Sequence, residues 1–101
     1  MIVEYKRYKI TDERREQFLQ AHEKAAEYLK SSPACLAYEL SHCSEEPARY
    51  ILRIEWKSTD DHLKGLRGGV GFKPFFQLVQ SFLHDREEMQ HYQLTEVVHR
   101  S

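Results

Sequence analysis

Two stretches of the chain alternate side chains with the period of two that marks a β-strand with unlike faces. Tyr50, Leu52, Ile54 and Trp56 alternate with Ile51, Arg53, Glu55 and Lys57, and Leu36, Tyr38, Leu40 and His42 alternate with Cys35, Ala37, Glu39 and Ser41. Ser44-Glu45-Glu46-Pro47 between them supplies a turn, so the pair predicts a hairpin. Ile2 to Ile10 is rich in β-branched and aromatic residues and predicts an earlier strand. From Asp12 to Lys30 the period changes to that of a helix. Phe18, His22, Ala25, Ala26 and Leu29 share one face, Thr11-Asp12 offers an N-cap, and Ser31-Ser32-Pro33 ends the element. Ser58 with Asp61 approaches a capping box and predicts a short helix from Thr59 to Leu66. Gly65, Gly68, Gly69 and Gly71 break that helix, and Leu66 to Gly71 is expected to be mobile without ligand. Phe72, Phe75, Phe76, Val79, Phe82 and Leu83, spaced by threes and fours around Pro74, predict another amphipathic helix. Glu87 to Val98 reads as a final strand.

The resulting order, β-α-β-β-α-α-β, is the split β-α-β pattern of ferredoxin-like α+β folds: a four-stranded antiparallel sheet with its helices on one face. The other face, carrying Ile51, Arg53 and Glu55, would be left for a second subunit, so a homodimer is expected. With 101 residues the chain is read as one domain, 1–101. A formal charge of -1 offers no field for nucleic acid. No apolar run approaches the ~20 residues that span a bilayer. The N-terminus lacks signal-peptide order, so a cytoplasmic, non-membrane protein is expected. Cys35 and Cys43 on one strand would stand about 26 Å apart and could not pair.

EWKSTDDHLKGLR followed by GFKPFF resembles the antibiotic biosynthesis monooxygenase family, most specifically in Trp56-Lys57-Ser58, His62 and Phe72-x-x-Phe75-Phe76. The resemblance implies a dimeric α+β barrel with a pocket in each protomer between helices and sheet. It also implies activities that include oxygenation of electron-rich polycyclic aromatics without metal or flavin. Trp56 matches a strand-end tryptophan common in the family. The asparagine placed in the pocket of members with oxygenase chemistry has no counterpart, because the chain contains none. Haem chemistry is disfavoured, since Gly65 and Phe75 stand where haem-degrading members resemble one another in a tryptophan and a ligating histidine.

Oxygenation without a cofactor requires the substrate to supply the electrons, so the site must deprotonate a phenol or enol, stabilise the anion and exclude water. His62 is the candidate base and Arg53 a candidate oxyanion partner, although Glu55 on the same face favours a structural ion pair for Arg53. Trp56, Phe72, Phe76 and Tyr38 are the candidate substrate-binding residues, with the pocket mouth between the Trp56-to-His62 corner and the helix near Phe72. The ligand would be a small hydrophobic or aromatic molecule, with no cofactor and no metal. Glu88-x-x-His91 imitates a metal motif, but on a strand the two point to opposite faces. Two functions stay open: a cofactor-independent monooxygenase acting on an aromatic or polyketide-type molecule, or a non-oxidative enzyme or binding accessory protein of the same fold.

Overall fold

The computed structural model describes residues 1–57 and 72–100. Strand β1 (Ile2–Lys9) leads into helix α1 (Asp12–Lys30) and the hairpin β2 (Cys35–His42) and β3 (Arg49–Trp56). Helix α2 (Phe72–Val79) tightens into a 3-10 turn at Gln80–Asp85 before β4 (Arg86–Gln93). The sheet order is β2-β3-β1-β4 and every described pairing is antiparallel, which is the split β-α-β arrangement. The expected short helix from Thr59 to Leu66, the expected mobile segment Leu66 to Gly71, and His62 with them lie outside the described residues.

Most elements stand where the periodicity puts them, and the differences have local causes. Thr11 takes the N-cap position of α1, but its side chain makes no capping bond; its backbone carbonyl accepts from Arg14 N–H at 3.1 Å. The final strand stops at Gln93 rather than Val98. Gln93 faces Ile2 at the first rung of β1, and Leu94 N–H still donates to the Met1 carbonyl at 3.1 Å, so beyond it the ladder has no further partner. The helix after Pro74 does not stay α-helical to Leu83. Arg14 on α1 donates to the Ser81 carbonyl at 2.9 Å and pairs with Asp85, fixing the tightened turn against α1. Cys35 and Cys43 are free thiols.

The core lies between the helices and one face of the sheet, and its hub is Phe18. On α1, Phe18, His22, Ala25 and Leu29 fall at spacings of four, three and four and are all buried. The Phe18 ring meets Tyr8 of β1, Tyr50 of β3 and Phe82 of the 3-10 turn at centroid distances of 5.1, 5.0 and 5.3 Å. These tilted and edge-on contacts suit the aromatic quadrupole. The surroundings are dry enough that burial pushes the Tyr8 hydroxyl up to about 12.

His22 lies in the same cluster, 4.3 Å from the Phe18 ring and 5.6 Å from Tyr8. Its Nδ1 lies 2.9 Å from the Phe18 carbonyl, which accepts only a protonated nitrogen and so fixes the neutral tautomer with the proton on Nδ1. Burial lowers the His22 pKa below 6.5, outweighing that bond, and Lys6 pushes in the same direction. The unfolded chain therefore binds a proton that the folded chain refuses, so stability is full above about pH 6.5 and falls as pH drops below it. Urea unfolding measured from neutral to mildly acidic pH is expected to show this loss, and His22→Leu is expected to reduce its slope. A Phe18→Ala chain is expected to lose about 3–5 kcal/mol of stability in the same measurement.

Candidate functional site

At the opposite end of the helix-facing side of the sheet from the Phe18 hub, ionisable groups replace apolar ones. In β1, Glu4 and Lys6 share the face of Tyr8, while Val3, Tyr5 and Arg7 point the other way. Glu4 is 1 % exposed. Its carboxylate Oε1 accepts the indole N–H of Trp56 at 3.2 Å, a diagonal contact from β3. Its Oε2 stands 3.4 Å from Nε2 of His91 on β4, the residue directly across the ladder. At that separation the pair is within ion-pair range but long for a hydrogen bond. Lys6 comes next along the strand, with Nζ 5.9 Å from the centroid of Phe75, which α2 presses toward the sheet. Trp56 is wholly buried, whereas the His91 side chain keeps 30 % of its surface exposed. A carboxylate in an apolar layer is costly unless polar groups compensate it, and here an indole donor from β3 and an imidazole within ion-pair range from β4 face it from both sides of β1. The cluster thus joins a sealed end, Glu4 and Trp56, to a partly open end, His91.

The residues singled out in the sequence divide between the two faces. Trp56 belongs to the cluster. Tyr38 faces the helices from β2, where its hydroxyl donates to the His22 carbonyl at 3.5 Å, and burial raises its pKa. Phe76 lies toward the surface of α2, 39 % exposed, while Phe75 is buried. Phe72 is the first residue of α2 and its side chain, like His62, lies outside what is described. Arg53 is on the other face of the sheet, away from the cluster. Its guanidinium donates to Glu55 at 3.0 Å and lies 3.6 Å from Glu39. A side-chain hydrogen bond to Tyr5 and the bond to Glu55 raise its pKa. Arg100 also reaches Glu55, at 3.4 Å. Glu88 bonds Arg7 on that face at 3.3 Å, while His91 faces Glu4, so the two residues of the Glu-x-x-His motif do not converge.

Residues 1–78 match the family model for antibiotic biosynthesis monooxygenase. The chain belongs to this family. The uncharacterized protein YczJ of Bacillus subtilis (strain 168) is 28 % identical over 78 residues, which is 77 % of this chain and 82 % of that protein. The fold is shared with a conserved protein from Methanosarcina mazei Go1, at a TM-score of 0.79 and 20 % identity, covering 93 % of this chain and 92 % of that one. It is shared also with a variant of SnoaB, a cofactor-independent oxygenase from Streptomyces nogalater, at a TM-score of 0.77 and 14 % identity, covering 96 % and 95 %. These two likenesses establish the fold and no more.

Sequence reasoning passed over Glu4 and Lys6, and weighed His91 only as a metal ligand beside Glu88. The signal was present: Glu4 and Lys6 fall in phase with Tyr8 and Ile10, so a strand with those residues inward carries two charges inward as well. Trp56→Phe is expected to cost about 2–5 kcal/mol, because it removes a donor from a buried carboxylate and leaves a cavity where the indole's second ring packed. The loss is expected to shrink in a Glu4→Gln background, and equal losses in both backgrounds would show that the bond carries no such energy.

Proposed function

We propose that the protein is a small homodimeric monooxygenase that oxygenates an electron-rich aromatic or polyketide-type molecule without a bound metal or flavin. The observation that carries this reading is the polar cluster of Glu4, Trp56 and His91 set into an otherwise apolar helix–sheet layer. Family membership supports it, as does the shared fold of SnoaB, itself a cofactor-independent oxygenase. In the reaction, a methylene group activated by a neighbouring phenol or enol loses a proton, and the resulting anion transfers electrons to dioxygen and forms a C–O bond. The hydroperoxide then loses its remaining methylene hydrogen as a proton and expels water, so that one methylene compound and one dioxygen give one ketone and one water. The protein's part is to hold the proton, stabilise the anion and exclude bulk water. Lys6 is suited to the anion by charge, Phe75 and Phe76 to the aromatic rings, and Phe72, Tyr38 and His62 remain proposed pocket residues.

Arg53 has a different place in this proposal. Its bonds to Glu55, Glu39 and Tyr5 lie on the open face of the sheet, so we assign it to the contact between two protomers rather than to catalysis. Light scattering at micromolar concentration is expected to give a dimer, and a monomer would contradict this part of the reading.

The chemistry is tested by oxygen uptake with anthrone-type compounds, which carry the methylene group that the reaction oxidises, under isotopically labelled dioxygen. One labelled atom is expected in the product and the other in water. Binding of these compounds with no oxygen uptake would favour a non-oxidative enzyme or an accessory protein that holds a reactive intermediate.

A further inference from the structure

We infer that His91 is the proton acceptor of this site and that Glu4 positions it, so the ligand is a phenol or enol that presents its acidic hydrogen to the inner face of β4. The inference rests on the proposed function for the reaction it serves, but the geometry behind it is independent of oxygen. Glu4 is buried and presents both carboxylate oxygens to ring nitrogens: Oε1 to the Trp56 indole at 3.2 Å and Oε2 to His91 Nε2 at 3.4 Å. The indole can only donate, so its bond fixes the carboxylate's orientation. The second oxygen then favours the His91 tautomer with its proton on Nε2, which puts the lone pair on Nδ1. Such contacts in an unliganded site are commonly long and shorten when the imidazole gains charge.

The surroundings separate a base from a merely packed histidine. Glu4 is 1 % exposed, but His91 retains 30 % of its side-chain surface, so the carboxylate is sealed while the imidazole reaches the edge of the layer. Buried His22 provides the contrast, being fully enclosed and bonded to its own helix. Lys6 on β1 is the charged group on the same face one rung from Glu4, directly across from Met89, and it is placed to stabilise the oxyanion that deprotonation creates. The proton balance closes within the site. The substrate O–H or C–H proton moves to Nδ1, Glu4 stabilises the imidazolium without taking the proton, and His91 returns it to the peroxide oxygen that leaves as water.

The test uses para-nitrophenol as a coloured probe, at a pH about one unit below its own pKa. Saturation with the wild-type protein is expected to raise the phenolate absorbance at least about threefold, whereas His91→Ala is expected to bind the probe mainly as the neutral phenol. Glu4→Gln is expected to give an intermediate result. With a compound that is turned over, His91→Ala is expected to lower kcat by about 100-fold or more with KM nearly unchanged, and added imidazole to restore part of it. A merely structural His91 would lower thermal stability and show no imidazole rescue. Failure of the probe to bind, or the same ionisation in wild type and His91→Ala, overturns the inference even if oxygen uptake is intact. Oxygen uptake absent with the probe result intact instead removes the oxygenase reading and leaves the base in place.

Discussion

A buried carboxylate constrains the structure more tightly than any other single group. Glu4 faces the helix layer, where an uncompensated charge is strongly disfavoured, and its compensation comes from two different strands. The Trp56 indole reaches the carboxylate from β3 and the His91 ring faces it from β4, so the three strands are held in one relative register by this cluster as well as by their backbone ladders. A slip of β1 by one residue would carry Glu4 to the open face and bring Val3 and Tyr5 inward. The same slip would separate Tyr8 from Phe18. The polar cluster and the aromatic hub therefore reinforce one alignment, from opposite ends of the sheet.

The sheet has two unlike faces with separable roles. Toward the helices, the Phe18 end is sealed by aromatic contacts, and the Trp56 end carries the ionisable groups to which the proposed chemistry is assigned. On the open face, Arg53, Glu55, Glu39 and Arg100 form an ion-pair network beside Tyr5 and Tyr92, whose rings meet edge-on at 5.5 Å. Partly exposed pairs of this kind contribute little to stability individually, but they can orient an approaching partner. The proposed catalysis on one face and the proposed association on the other are then compatible in 101 residues.

Much of this organisation was legible in the sequence. The strict alternation from Tyr50 to Trp56 and the stripe of Phe18, His22, Ala25 and Leu29 fixed the type and facing of the elements, because a buried layer tolerates few exceptions to its period. The Arg53–Glu55 ion pair followed from two residues sharing a strand face. The limit of the last strand did not follow, since its end depends on where β1 begins rather than on local composition. The pairing of Glu4 with His91 was missed for a similar reason. They stand near opposite ends of the chain, and only strand pairing shows that the carboxylate and the imidazole face each other.

Trp56 is the only tryptophan in the chain, so its indole N–H gives one nuclear magnetic resonance signal that reports directly on Glu4. Titration with a hydroquinone-type ligand, followed by this signal and by the backbone amides of Ser41 and Ile51 on the open face, tests whether the helix-side cluster is the binding site. The indole signal is expected to move saturably with the ligand while the Ser41 and Ile51 amides stay in place. An unmoved indole signal with saturable shifts at Ser41 and Ile51 would contradict it.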